Sequence, residues 1–234
     1  MKSLIIGGTS GLGKYLSEEL ISRGAEIITI SRSDEGFLNN QHFKCDVLDK
    51  NKLEQIVTKI SNENNIIDNV WCVAGYAFPK KVEEQTQEVY QIHLDRNFTY
   101  VQLVLNNVLG NIRRSDDPRV ITFGSQWSYR SKYDFLELAP YAEAKKKLMK
   151  YTQIFAIDNP EIKANHYCIP TTHTPAMIKI KETLSEINKK LLTSHEKLAD
   201  PGIVINRLVE HALNFSDSGE TMVWEVNWTI NVLK

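Results

Sequence analysis

The sequence has only three cysteines in 234 residues, Cys45, Cys72 and Cys168, far apart and each set in an apolar segment. That spacing gives neither the close pairs of a structural zinc site nor the density of a disulfide scaffold, and it fits a reducing, cytoplasmic compartment. Charge of one sign is not in excess either: 28 Lys and Arg face 29 Asp and Glu, a formal net charge of −1. Such a balance does not draw a chain onto nucleic acid or an anionic membrane, so neither is expected as a partner. Long apolar runs are missing. No segment approaches the ~18 residues of a membrane span, and only four residues separate Lys2 from Gly7, too few for the apolar stretch of a signal peptide. Repeats, low-complexity tracts and linkers are likewise absent, so residues 1–234 are expected to form one domain.

What is present is a rhythm. Short β-branched runs at 4–6, 27–30, 43–45, 70–73, 120–123 and 166–169 alternate with longer helical patterns, as in a parallel sheet with crossover helices. Leu12, Leu16 and Leu20 recur at four-residue intervals and Gly24 follows, which marks a capped amphipathic helix between the first two runs. A further run at 222–226, behind the turn-like residues 216–219, adds a seventh strand. The Lys-, Glu- and Leu-rich stretch 175–200 reads as an inserted helical flap, with a final helix at 203–215. The expected class is α/β: a doubly wound parallel sheet of about seven strands with a small helical flap.

Three patterns within this frame carry chemistry. The segment Gly7-Gly8-Thr9-Ser10-Gly11-Leu12-Gly13 follows a predicted strand and opens a predicted helix. Glycines there let the backbone approach a pyrophosphate while the helix N-terminus faces its charge; an ordinary glycine-rich loop is the competing reading. The second run ends in Ser31 and Arg32, where an acid would select NAD(H). A hydroxyl and a guanidinium suit a 2′-phosphate instead, so NADP(H) is favoured over NAD(H), against the alternative of a solvated loop Arg. Finally, Tyr141 and Lys145 lie four residues apart in a predicted helix at 140–157, hence on one face. A neighbouring cation is expected to lower a phenol from its usual value near about 10 and ease proton transfer.

With Gly7, Gly11 and Gly13 in the spacing TGxxxGxG, Ala74-Gly75 closing what is otherwise NNAG, and Tyr141 and Lys145 as YxxxK, the chain resembles the short-chain dehydrogenase/reductase family, as a divergent member. The resemblance implies a Rossmann-type fold. It implies cofactor contacts from Gly7, Thr9, Ser10, Gly11, Leu12 and Gly13, and from Asp46 with Val47 at the adenine, where a plain helix N-cap competes. It adds Ala74 and Gly75, Lys145 on the nicotinamide ribose, and Thr174 on the carboxamide. Ile6 stands where the family usually has Thr, and Cys72 and Val73 replace its two asparagines.

The implied catalytic set is Asn97, in a long helix from 87 to about 109, with Ser125, Tyr141 and Lys145. Ser125 ends the fifth strand, whereas the family's usual Ser-to-Tyr spacing selects Ser128; an insertion within 128–139 reconciles the two, with Ser128 as fallback. The implied reaction passes hydride between the nicotinamide and a carbonyl or alcohol carbon of a small-molecule substrate. Residues 76–78, Gln126, Trp127, His173 and the flap are candidate pocket walls, and Lys80, Lys81, Lys179 and Lys181 are candidates to meet a phosphorylated substrate, with solvated loop lysines as the competing reading. A non-catalytic NADP(H)-sensing protein on the same scaffold is the alternative. The resemblance also implies a homodimer or homotetramer, built on the helices carrying Asn97 and Tyr141 and on a C-terminal strand with Trp224 and Trp228.

Overall fold

A computed structural model describes residues 1–37, 40–129, 136–186, 198–224 and 230–233. Strands β1 (Lys2–Ile6), β2 (Glu26–Ser31), β3 (Gln41–Lys44), β4 (Asn69–Cys72), β5 (Arg119–Ser125), β6 (Lys163–Ile169) and β7 (Thr221–Trp224) run parallel, and β8 (Ile230–Leu233) pairs antiparallel at the β7 edge. Their order is β3-β2-β1-β4-β5-β6-β7-β8. The chain therefore starts mid-sheet, builds one half, then crosses back beyond β1 to build the other. Between β1 and β4 the winding reverses, and at such a switch point a crevice opens beyond the carboxyl ends of the strands.

Seven helices, among the described residues, cover the two faces: α1 (Gly11–Ser22), α2 (Lys50–Glu63), α3 (Gln87–Leu94), α4 (Tyr100–Ile112), α5 (Ala139–Asp158), α6 (Pro175–Thr183) and α7 (Pro201–Asn214). Because successive strand residues point to opposite faces, β1 feeds both cores. Leu4 and Ile6 pack with Val57 of α2, Val104 and Val108 of α4 and Leu148 of α5. Ile5 points the other way, into a core with Leu16 and Leu20 of α1 and Val204 and Leu208 of α7. A strand buried on both faces needs a near-continuous apolar run, which is why the inner strands were legible as such.

The structure departs from the sequence reading in two places. An eighth strand is present, because the end of the chain returns as a hairpin partner of β7 rather than stopping there. The helix expected at 87–109 is α3 and α4 joined by a π-helical turn, Asp95–Thr99, with Asn97 at its centre; such a turn widens the helix by one residue and re-aims a side chain. The flap is helical as α6 to Thr183, while 187–197 lie outside the described residues. So do 130–135, part of the span 128–139 to which the insertion is assigned, and 225–229, which include Val226 and Trp228.

Candidate active site

The glycine turn sits at the mouth of the crevice. A Cβ on Gly13 would overlap the Gly7 carbonyl oxygen, and one on Gly7, whose φ is +94°, would meet the Ala74 nitrogen at 2.8 Å. The turn is thus packed tightly enough to admit only glycine at those two positions. Although Ile6 supplies no hydroxyl, Thr9 Oγ1 bonds Ser31 Oγ at 2.5 Å and Ser17 Oγ donates to the Gly8 carbonyl at 2.8 Å, so two other side chains brace the turn. Ser10, the N-cap of α1, makes no side-chain capping bond. The first N–H groups of that helix therefore have no side-chain acceptor there, as an anion site requires.

Above the turn lies a cavity of about 620 Å³. It is lined by Gly7, Thr9, Ser10, Gly11, Leu12 and Gly13, by Ser31 and Arg32, Asp46 and Val47, Ala74 and Gly75, and by Thr174. Asp46 accepts from the Leu48 N–H at 3.1 Å; the N-cap of α2 is Asp49, which sets aside the capping alternative for Asp46. Thr174 caps α6 by accepting from Met177 N at 3.3 Å. Arg32 is exposed and forms no ion pair with a carboxylate among the described residues. This cradle, too tight for a side chain and sized for an extended ligand, fits a dinucleotide.

A second cavity of about 170 Å³ shares Leu12, Gly75 and Thr174 with the first and is lined by Ser125, Trp127, Tyr141, Lys145, Met177 and Ile180 as well. Ser125 at the end of β5 hydrogen-bonds the Tyr141 phenol. Ser128 is buried, with its hydroxyl donating to the Ser125 carbonyl at 2.5 Å, and does not line the cavity. Lys145 Nζ lies 6.0 Å from the centre of the Tyr141 ring and donates to the Phe123 carbonyl at 2.7 Å. Asn97 lines neither cavity. It is buried, and its amide accepts from Tyr76 N at 3.1 Å and donates to Tyr76 O at 3.0 Å and His93 O at 2.8 Å. The loop after β4 is thereby fastened to the π turn beside Gly75, where an added Cβ would meet both Asn97 Oδ1 and Lys145 Nζ.

Electrostatics here follow burial. The Tyr141 phenol is pushed up to about 12 by desolvation, with its Ser125 bond acting the other way, although the residue keeps some exposed surface. The lowering expected from Lys145 is therefore not found in the free protein. Desolvation also brings the Lys145 ammonium down to about 8, opposed by the neighbouring Cys72 and Cys168 thiols. At neutral pH the pair is a protonated phenol beside a cation.

A family model for short chain dehydrogenases matches residues 2–185. The chain belongs to that family. YtkK of Bacillus subtilis, which is named as an oxidoreductase, is 28% identical over 182 residues, covering 71% of each chain. The 3-oxoacyl-acyl-carrier-protein reductase FabG of Haemophilus influenzae is 26% identical over 131 residues, covering 53% of this chain and 54% of its own. Among solved structures, the RhlG/NADP active-site complex of Pseudomonas aeruginosa superimposes with a TM-score of 0.82 at 16% identity, covering 95% of this chain and 93% of that one, a likeness of fold. This short-chain dehydrogenase is an oxidoreductase by family, and no described helix is long and apolar enough to cross a membrane.

Several features of this family member were not visible in its sequence. Tyr100, three residues past Asn97 and so on a neighbouring helical face, donates to the Ala74 carbonyl at 2.7 Å and braces the strand end where the two asparagines are missing. His93 stacks on Phe78, 4.2 Å between ring centres, and stands edge-on to Tyr141; desolvation lowers it to about 4, so it is neutral. Gln126 turns away from the pocket and donates to the Trp224 carbonyl at 3.1 Å. His173 is exposed. Of the four lysines weighed for a phosphorylated substrate, Lys179 lines the larger of these two cavities and the other three line neither.

Proposed function

We propose that the protein is an NADP(H)-dependent reductase that interconverts a carbonyl and an alcohol on a small-molecule substrate, with Tyr141 as proton donor and acceptor. The observation that carries this reading is the Ser125–Tyr141 hydrogen bond in a cavity continuous with the glycine cradle, with Lys145 buried alongside. Bound there, a nicotinamide cofactor supplies or takes the hydride. Glycines 7, 11 and 13 and the α1 N-terminus would hold its pyrophosphate, Asp46 and Val47 its adenine, Ser31 and Arg32 a 2′-phosphate, Lys145 its ribose hydroxyls and Thr174 its carboxamide.

The protein's own groups handle the oxygen. Tyr141 carries its proton at neutral pH, the state needed to protonate a carbonyl oxygen as it becomes an alcohol. Ser125 Oγ donates a second hydrogen bond to that oxygen and stabilises its developing charge. Lys145, a cation at neutral pH, favours the phenolate left behind. Asn97 holds the Tyr76 backbone and so fixes the cavity wall beside Lys145. The three free, buried thiols support a cytoplasmic setting, and the single continuous sheet supports one cofactor-binding domain over residues 1–234 with 175–200 over the substrate.

The test is NADPH and NADH titration by tryptophan energy transfer, followed by NADPH consumption against a panel of carbonyl compounds. Expected are tighter binding of NADPH than NADH, lost on Arg32→Gln, and turnover abolished by Tyr141→Phe with binding intact. Failure to bind either coenzyme refutes the reading, and binding without turnover across a broad panel favours the sensor.

A further inference from the structure

The chain as a whole is slightly acidic, with a formal net charge of −1, yet the charged residues lining the larger cavity are Arg32, Arg96 and Lys179 against Asp46 alone. Arg32 stands at the end of β2, at the ribose side. The other two cations lie elsewhere on the wall and have no role in the reading above. Arg96 belongs to the π turn, immediately before Asn97, and its guanidinium is held over the face of Tyr76, 5.5 Å from the ring centre. It is half-buried and, among the described residues, forms no ion pair; its neighbour Asp95 is taken by Lys50 at 3.0 Å. A guanidinium drawn partly out of water and fixed on an aromatic face without a carboxylate is poised for an anion supplied from outside. Lys179 projects from α6, whose N-cap Thr174 packs against Gly11 of the turn, 3.8 Å from the position a Cβ there would take. The N-termini of α1 and α6 thus converge at one place, with Arg96 and Lys179 on the walls of the same cavity.

We propose that Arg96 and Lys179 form a cationic clamp for the pyrophosphate of the dinucleotide, separate from the Ser31–Arg32 site that reads the 2′-phosphate. The inference rests on the coenzyme reading of the preceding subsection and adds a division of labour to it. The helix N-termini and the glycine backbone bind the diphosphate from one side with partial charges, and the two side chains bring full charges to it from the cavity walls. Since both coenzymes carry the diphosphate, the clamp contributes to NADPH and NADH alike, whereas Arg32 contributes to NADPH alone.

Dissociation constants for NADPH and NADH, measured on the full chain for wild type, Arg96→Gln, Arg96→Lys, Lys179→Gln and Arg32→Gln, decide the matter. Arg96→Gln and Lys179→Gln are each expected to weaken both coenzymes by about tenfold and by the same factor, as loss of one charge-assisted contact does. Arg32→Gln is expected to weaken NADPH only. Arg96→Lys, which keeps the charge but loses the planar group held on Tyr76, is expected to fall between wild type and Arg96→Gln, by the same factor for both coenzymes. A loss confined to NADPH, an Arg96→Lys defect as large as that of Arg96→Gln, or unchanged binding in the Gln variants overturns the clamp while wild-type binding stands. If wild type binds neither coenzyme, the functional reading itself falls and takes the clamp with it. Circular dichroism and melting temperature confirm that each variant is folded.

Discussion

Replacing Lys145 by Met should make the protein more stable at neutral pH while destroying its activity. Lys145 is 3% exposed, and desolvation lowers its ammonium from 10.5 to about 8. In the unfolded chain the group keeps its ordinary value, so between pH 8 and 10.5 the unfolded state binds more protons than the folded one and stability rises with pH across that window. Below the window the cost is fully present, about 3 kcal/mol at pH 7 for a shift of this size, and inside it the cost has fallen to about 1 kcal/mol by pH 9.5. Met fills similar volume without charge but leaves the Phe123 carbonyl without its 2.7 Å donor, a loss of about 1 kcal/mol. The variant should therefore be more stable than wild type by about 2 kcal/mol at pH 7 and nearly equal to it at pH 9.5. Urea unfolding of both proteins at the two pH values measures the difference, and taking the difference removes most of the contribution of Cys72 and Cys168, whose thiols burial also raises. A variant less stable than wild type at pH 7, with a gap that does not change with pH, refutes the argument that burial of the cation governs this site.

Two shorter predictions follow from the same geometry. Ser125→Ala should lower kcat by about a hundredfold, the scale of one lost hydrogen bond to a developing oxyanion, whereas Ser128→Ala should leave kcat within about threefold and act on stability; the reverse ranking in steady-state assays would move the catalytic role to Ser128. On α5, Ile154 and Ile157 are 56% and 76% exposed, which supports a homodimer or homotetramer assembled on this helix face. Light scattering should give a mass of two or four chains, reduced by Ile157→Lys, and a monomeric wild type would contradict the assembly.

The local patterns of this protein were legible because they are fixed over a few residues. Double-sided burial of the inner strands demanded continuous apolar runs, and a turn that admits no Cβ demanded glycine at 7 and 13. The four-residue spacing put Tyr141 and Lys145 on one helix face, and the apolar run 120–123 put Ser125 at the end of β5. What depends on partners distant in the chain was not legible. The phenol of Tyr141 was expected to be lowered by Lys145 and is instead raised, because the degree of desolvation is set by Trp127, Met177 and Ile180 arriving from other elements. Tyr100 braces the strand end across 26 positions, and Arg96 lines the cavity from a π turn that interrupts the expected helix. Sequence by itself determined the periodicities and the residue types at tight turns, since these answer to backbone sterics and to the nearest neighbours. Tertiary structure alone decided burial, and with it the proton affinities and the charge lining the crevice, because the field and solvent around a group are the sum of everything packed about it.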